Sequence, residues 1–224
     1  MTDIDVKRYA DDADADIDDY IVEHIDPEPE ELRRLHRLTH LRLAYPQMSS
    51  GHLQGRLLAM LCRMVGARRV LELGTYSGYS ALSMAEALPG DGMVDTIEQN
   101  DELEDFLREV FDGSPCGAKV RLHLGDALSV IHSELSSEMF DLCFIDAYKR
   151  RYADFYRAVF PLVRHGGLIV ADNTLWNGKV VQPVRDTDLQ TLGVMEFNDL
   201  VAADARVEKV ILPMRDGLTI IRKK

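Results

Sequence analysis

Val70-Leu71-Glu72-Leu73-Gly74-Thr75-Tyr76-Ser77-Gly78-Tyr79-Ser80 decides how the rest of the chain is read. Its first four residues form a short valine- and leucine-bearing run closed by glycine, the pattern of a buried strand. Glycines that follow a strand and open a helix let the backbone approach a ligand closely. The spacing is G-x-x-x-G, not the G-x-G-x-x-G of a pyrophosphate-binding dinucleotide loop. An acid, Glu72, lies inside the strand. A loop of this spacing beside a carboxylate suits a cationic or zwitterionic nucleoside such as S-adenosylmethionine. The plainer alternative is a glycine turn that only packs a helix.

Outward from this stretch the pattern alternates. Strand-like runs are predicted at 70–73, 93–97, 120–124, 140–145 and 168–171. Amphipathic segments separate them near 79–88, 100–111, 127–135 and 151–163. Such alternation implies parallel strands joined by helical crossovers. The end differs: a helix near 188–203, a run at 207–212, then Arg215-Asp216-Gly217 and a run at 218–221. Asp-Gly between two apolar runs is a hairpin signal. The expectation is an α/β fold whose mostly parallel, seven-stranded sheet ends in an antiparallel pair.

Upstream, the first 45 residues read as helical. Ile17, Tyr20, Ile21 and Ile25 recur at helical spacing, and Asp26-Pro27-Glu28-Pro29 breaks that helix. The next has acids at its start and Arg33, Arg34, Arg37 and Arg42 further on, which complements the helix dipole. Leu32, Leu35, Leu38 and Leu41 are its apolar stripe, and a third helix is expected after Gly55. There is no internal repeat or linker. One domain over 1–224 is expected, with a helical arm at 1–45 and a core at 46–224.

A chain of 224 residues is well above the size at which core burial becomes marginal. Hydrophobic content of 46% and charged content of 29% are those of an ordinary soluble globular protein. A net charge of -12 argues against a nucleic-acid partner, since phosphate binding needs a basic surface. The aspartates crowded between Asp11 and Asp19 read as a solvated helix face. No apolar run reaches membrane-spanning length, and the N-terminus lacks a basic-then-apolar signal. Cys62, Cys116 and Cys143 are odd in number and far apart, so reduced core thiols and a cytoplasmic location are expected.

In an open parallel sheet, ligands bind beyond the carboxyl ends of the strands. The second strand ends in Glu98, placed to accept hydrogen bonds from ribose hydroxyls; the alternative is an exposed acid at a helix start. The third ends in Gly125-Asp126-Ala127, where Asp126 either meets an adenine amine or caps the next helix. The fourth ends Asp146-Ala147-Tyr148-Lys149 and the fifth Asp172-Asn173. Two carboxylates and an amide oxygen on one rim are hard ligands suited to Mg²⁺, with Ca²⁺ or Mn²⁺ as alternatives. The seven histidines are scattered without H-E-x-x-H spacing, which disfavours zinc.

These motifs, in this order, resemble those of the cation-dependent catechol and caffeoyl-coenzyme A O-methyltransferases, including small bacterial relatives. The resemblance runs from about Pro46 to Arg222 and includes Met48, Gln54-Gly55, the glycine loop, Glu98, Gly125-Asp126-Ala127, Asp146 to Lys149, Asp172 to Gly178 and Asp216-Gly217-Leu218. It implies a Rossmann-like class I methyltransferase sheet. By that resemblance Asp146, Asp172 and Asn173 look like metal ligands and Lys149 like the catalytic base. Glu72, Gly74, Tyr76, Ser80, Glu98, Asp126 and Ala127 look like cofactor contacts, with Asp146, Met48 and Tyr148 lining the same site. Trp176 looks like part of the substrate mouth. A homodimer is implied, and the N-terminal arm would cover the site or pair two subunits. Arg56, where the family often has glutamine, and Gly51-His52-Leu53, where the plant enzymes approach that glycine through acids, are departures that bear on the acceptor.

The chemistry these groups imply is direct. A sulfonium methyl is already activated, whereas a phenol with pKa near 10 is mostly protonated at neutral pH. A divalent cation on that oxygen lowers its pKa, two adjacent hydroxyls can chelate the ion, and a lysine can take the proton. The expected reaction is therefore methyl transfer to a small catechol-like aromatic, with no nucleic acid or membrane involved. The alternatives are a catalytically silent nucleoside-binding protein, a nicotinamide-dependent oxidoreductase, and, for Lys149 alone, a surface ion pair.

Overall fold

The computed structural model describes residue 17 and residues 19–224. Most of the acidic run from Asp11 to Asp19, and most of the expected first helix, lie outside the described residues. Residues 19–24 are helical.

The strands are β1 (Arg69–Leu73), β2 (Met93–Glu98), β3 (Val120–Leu124), β4 (Phe140–Ile145), β5 (Val163–Asp172), β6 (Val207–Leu212) and β7 (Leu218–Lys223). They form one sheet in the order β3-β2-β1-β4-β5-β7-β6. The first five are parallel; β7 runs antiparallel to both β5 and β6. This is the expected α/β fold with the antiparallel C-terminal pair. The helices are α1 (Glu30–Arg42), α2 (Gly51–Val65), α3 (Tyr79–Ala87), α4 (Glu104–Asp112), α5 (Ala127–Ser133), α6 (Tyr152–Val159) and α7 (Leu189–Ala203).

Side chains alternate faces along each strand, and both faces of β1, β2 and β4 are largely buried, while the edge strand β3 is only partly covered. Leu71, Leu73, Cys143, Ile145, Ile169 and Ala171 face one core with residues of α5, α6 and α7. Val70, Val94, Leu142, Phe144 and Val170 face the other, with residues of α1 to α4. Cys62 and Cys143 are buried free thiols; burial pushes the Cys62 thiol up to about 12. No helix among the described residues is long and apolar enough to cross a membrane.

Three elements depart from the sequence pattern, each for a local reason. Helix α2 begins at Gly51 and carries Gly55 in its interior. A Cβ at Gly55 would lie 2.7 Å from Ser83 Oγ and 2.9 Å from the Tyr79 ring, so this glycine permits close packing on α3 instead of starting a helix. In α1, Leu32 and Leu35 are buried but Leu41 is 70% exposed. Each step of three residues falls about 60° short of a full turn, so the stripe rotates away from the core within three steps. Strand β5 starts at Val163, before Gly166 and Gly167.

One buried charge cluster braces the β2–β3 edge. Asp95 accepts from Arg69 Nη2 at 2.9 Å and lies 3.0 Å from His123 Nε2, and His123 Nδ1 lies 2.8 Å from Glu134. Burial alone would lift the Asp95 carboxyl, but hydrogen bonds from His123 and Arg69 hold it below its ordinary value. The Asp95 bond raises the pKa of His123 against the opposing effect of burial. A folded-state histidine pKa above the unfolded value gives stabilisation that is full below about 6.5 and is lost as pH rises through the raised value. His123→Gln is therefore expected to lower Tm more near pH 5.5 than near pH 8.5, by roughly 2–4 °C in a domain of this size, in parallel thermal melts.

Candidate functional site

The carboxyl ends of β1, β2, β4 and β5 open on one cleft of about 670 Å³. Gly74 makes the closest approach. Its φ is +93°, and a Cβ there would lie 2.1 Å from the backbone oxygen of Asp146. Asp146 N in turn donates to Leu73 O at 2.9 Å, so the ends of β1 and β4 are sewn together where the glycine loop begins. Gly74→Ala is expected to lose more than about 2 kcal/mol, since it combines a left-handed backbone with a clash against main chain. Thermal unfolding measures it; a Tm loss under about 2 °C would refute the argument.

Gly78 caps α3 in the left-handed region (φ +80°), and a Cβ there would meet the Phe111 ring at 2.7 Å. Between the two glycines, Tyr76 (φ +48°) donates its backbone N–H to Glu98 Oε2 at 2.8 Å. Glu98 Oε1 accepts from Asn100 N at 2.8 Å. Two backbone donors thus fix the Glu98 carboxylate at the wall of the cleft.

Glu72 lies fully buried beneath the loop and does not itself line the cleft. Thr96 Oγ1 donates to its Oε2 at 2.5 Å, while Oε1 is buried without a hydrogen-bond partner. Burial pushes the carboxyl up to about 8 against the opposing pull of the nearby Ser80 and Thr96 hydroxyls. A buried acid oxygen without a partner is costly, and a donor that reached it, a cationic one above all, would offset that cost.

The opposite wall carries the acids. Asp172 is 4% exposed; its Oδ2 accepts from Gln54 Nε2 at 2.8 Å and its Oδ1 from Asn173 N at 2.8 Å. Burial, and then the neighbouring Asp146 carboxylate, push Asp172 up to about 6. Two carboxylates that repel each other in a buried wall, with Asn173 lining the same cleft, make a hard-oxygen set suited to a divalent cation. Among the described residues no three His, Cys, Asp or Glu side chains gather as a metal site, and this set holds two acids and an amide.

Lys149 is 8% exposed, so it is not a surface ion pair. Its Nζ donates to Asp146 Oδ1 at 2.7 Å and to the Tyr152 hydroxyl at 2.6 Å. Tyr152 passes its own proton bond to Ile145 O at 3.2 Å. The ammonium is thereby aimed along the rim that carries Asp146.

Met48, Ser80, Ala127, Tyr148 and Trp176 also line the cleft. The loop after β5 is strained there: Asn173, Trp176 and Asn177 all have positive φ. It is pinned to the β6–β7 turn by Thr174 N to Gly217 O (3.0 Å) and Leu175 N to Asp216 O (2.9 Å). Asp126 lies apart. It caps α5, accepting from Ser129 N at 3.1 Å, pairs with Arg151, and is not among the lining residues. The cap is made through Oδ1, and the residues on either side, Gly125 and Ala127, do line the cleft, so the adenine reading is untouched by it. The departures Arg56 and His52 also point elsewhere, to Glu86 on α3 and to Asp26 O.

Two participants carried no assigned role in the sequence reading. Gln54 is fully buried and bridges Asp172 to Arg215, whose Nη1 reaches Gln54 Oε1 at 3.1 Å. Nothing local marks that bridge, since its partners lie on three separate elements.

A family model described as O-methyltransferase matches residues 22–224. The caffeoyl-CoA O-methyltransferase of Petroselinum crispum is 34% identical over 206 residues, which cover 88% of this chain and 85% of that one. Among solved structures, the O-methyltransferase from Bacillus cereus in complex with SAH superposes at a TM-score of 0.86 with 27% identity, covering 93% of this chain and 97% of that one. The Streptomyces achromogenes O-methyltransferase involved in tomaymycin synthesis, in complex with SAM, superposes at 0.85 with 28% identity, covering 93% and 96%. On the match of nearly its whole length, the chain belongs to the O-methyltransferase family.

Proposed function

We propose that this O-methyltransferase takes its methyl group from S-adenosylmethionine and passes it, with a divalent cation, to a hydroxyl of a small aromatic carrying vicinal hydroxyls. One observation carries the reading: Asp146, Asp172, Asn173 and Lys149 share a cleft with the glycine loop of β1. The SAM and SAH complexes of the two bacterial relatives are in keeping with that loop's ligand.

The residues divide the work. Glu72, buried beneath the glycine loop with Oε1 unpartnered, would accept from the ammonium of the methionine moiety once the loop side chains above it turn aside. Glu98, steadied by two backbone N–H groups, accepts from the ribose hydroxyls, and Met48, Tyr76, Ser80, Ala127 and Tyr148 close around the nucleoside. Asp146, Asp172 and Asn173 would hold the cation, Mg²⁺ by the hardness of its ligands, which lowers the pKa of a bound hydroxyl and fixes its place. Lys149, when its Nζ is the neutral amine, takes the proton that the acceptor hydroxyl gives up and becomes the ammonium that Asp146 pairs with. Tyr152 and Asp146 keep that nitrogen on the rim. Trp176 presents an aromatic face to the acceptor ring. Holding oxygen, methyl carbon and sulfur in line supplies much of the acceleration.

The test is a screen of catechol-bearing small molecules with S-adenosylmethionine, with and without Mg²⁺, read as S-adenosylhomocysteine release. Metal-stimulated turnover of catechols and none of monophenols is expected. Tight S-adenosylmethionine binding with no product from any acceptor would instead mark a silent binding protein. The family assignment already weighs against the hydride-transfer alternative.

A further inference from the structure

Arg215 is a charged group whose position the machinery above does not explain. It sits in the β6–β7 turn with φ +50°, a conformation natural to glycine or asparagine. The backbone does not call for arginine there, so what arginine contributes is its side chain. That side chain lines the methyl-transfer cleft, whose other basic lining residue, Lys149, is already paired with Asp146. Among the described residues no carboxylate forms an ion pair with Arg215. The neighbouring Asp216 carboxylate is engaged by Asn177 N.

The guanidinium is held by one corner. Nη1 donates to the backbone oxygens of Ser49 (3.2 Å) and Ser50 and to Gln54 Oε1 (3.1 Å). Nε and Nη2 have no acceptor among the described residues. Those two nitrogens form the edge of the guanidinium that a carboxylate meets bidentately, with two parallel N–H···O bonds. The arginine is thus fixed in place by the protein while its recognition edge stays open.

Its location ties that edge to the reaction. Only the Gln54 amide separates Arg215 from Asp172 on the proposed metal rim. Arg215 also borders a second cleft of about 610 Å³, walled by Leu175, Val180 and Val181, and the residue as a whole is exposed.

We propose that Arg215 binds a carboxylate on the methyl acceptor, so that the acceptor is an aromatic acid with vicinal hydroxyls and not a neutral catechol or thioester. The inference rests on the O-methyltransferase reading of the cleft. It makes Arg215 a specificity-determining residue; neither the resemblance nor the strand-end analysis includes it.

The test compares protocatechuate with its methyl ester, which share the same vicinal hydroxyls. Two quantities are measured for each: kcat/KM with S-adenosylmethionine and Mg²⁺, and the dissociation constant on protein loaded with S-adenosylhomocysteine and Mg²⁺. The wild type is expected to favour the acid by about tenfold or more in both, the scale of a charge-assisted bidentate contact. Arg215→Gln should bring both ratios towards one, and Arg215→Lys should keep part of the preference. Loss of the Gln54 contact affects acid and ester alike, so the ratio cancels it. A wild-type ratio near one, or a ratio unchanged in Arg215→Gln, overturns the proposal. Turnover of both compounds without preference would overturn Arg215's role and leave the methyl-transfer reading standing. Arg215-dependent preference in binding without turnover of either would do the reverse.

Discussion

Chelation of divalent cations with EDTA is expected to lower methyl transfer by at least about a thousandfold, since a Lewis-acidic metal contributes several kcal/mol to such a step. Added Mg²⁺ should restore it. Asp172→Asn is the informative variant. It should lower turnover at least about a hundredfold and weaken Mg²⁺ binding measured by calorimetry, because a charged oxygen ligand becomes a neutral one. Its metal-free Tm should nevertheless not fall. Asparagine retains an oxygen for one of the two bonds that Asp172 accepts, from Gln54 Nε2 and Asn173 N. It also removes a buried negative charge beside Asp146, the arrangement that pushes Asp172 up to about 6. A site kept at the expense of stability is what a functional charge cluster predicts. A marked fall in metal-free Tm would mean that Asp172 is structural. Full turnover after exhaustive chelation would remove the cation from the mechanism.

The fold was legible where burial is uniform. β1 and β4, covered on both faces, read as largely apolar runs, β3 alternates apolar and polar residues at the sheet edge, and β1 to β4 all stand within a residue of their predicted bounds. The N-terminal half of β5 was not legible. Gly166 and Gly167 look like a break, yet a Cβ at Gly167 would lie 2.8 Å from Asp141 O, so this glycine lets β5 pass close to β4. That contact depends on the partner strand and leaves no local signal. The site follows the same division. Residues at strand ends were found because topology alone brings strand ends together. Gln54 and Arg215 were not given roles, because their bridge to Asp172 joins helix α2, the β6–β7 turn and β5 across more than a hundred residues. Asp126 shows the limit from the other side, since a strand-end acid caps a helix as readily as it meets a ligand.

Lys149→Ala is expected to reduce kcat by about 10²–10⁴, the usual range for a positioned general base. KM for the acceptor and the affinity for S-adenosylhomocysteine should change little, because Lys149 bonds only to Asp146 and Tyr152 within the chain. The loss should shrink at high pH, where the acceptor hydroxyl ionises without help. Lys149→Arg is the sharper comparison. It keeps the positive charge and can still pair with Asp146, but a guanidinium stays protonated and cannot take a proton. If Lys149 is the base, arginine restores stability and not rate. If Lys149 only neutralises the acidic rim, arginine restores both. Stability separates the same two roles: removing the lysine leaves Asp146 without its cationic partner, which costs about 1–3 kcal/mol for a charged hydrogen bond in a buried place. Turnover in Lys149→Arg within about threefold of the wild type would dismiss the base and leave the ion pair as the lysine's whole function.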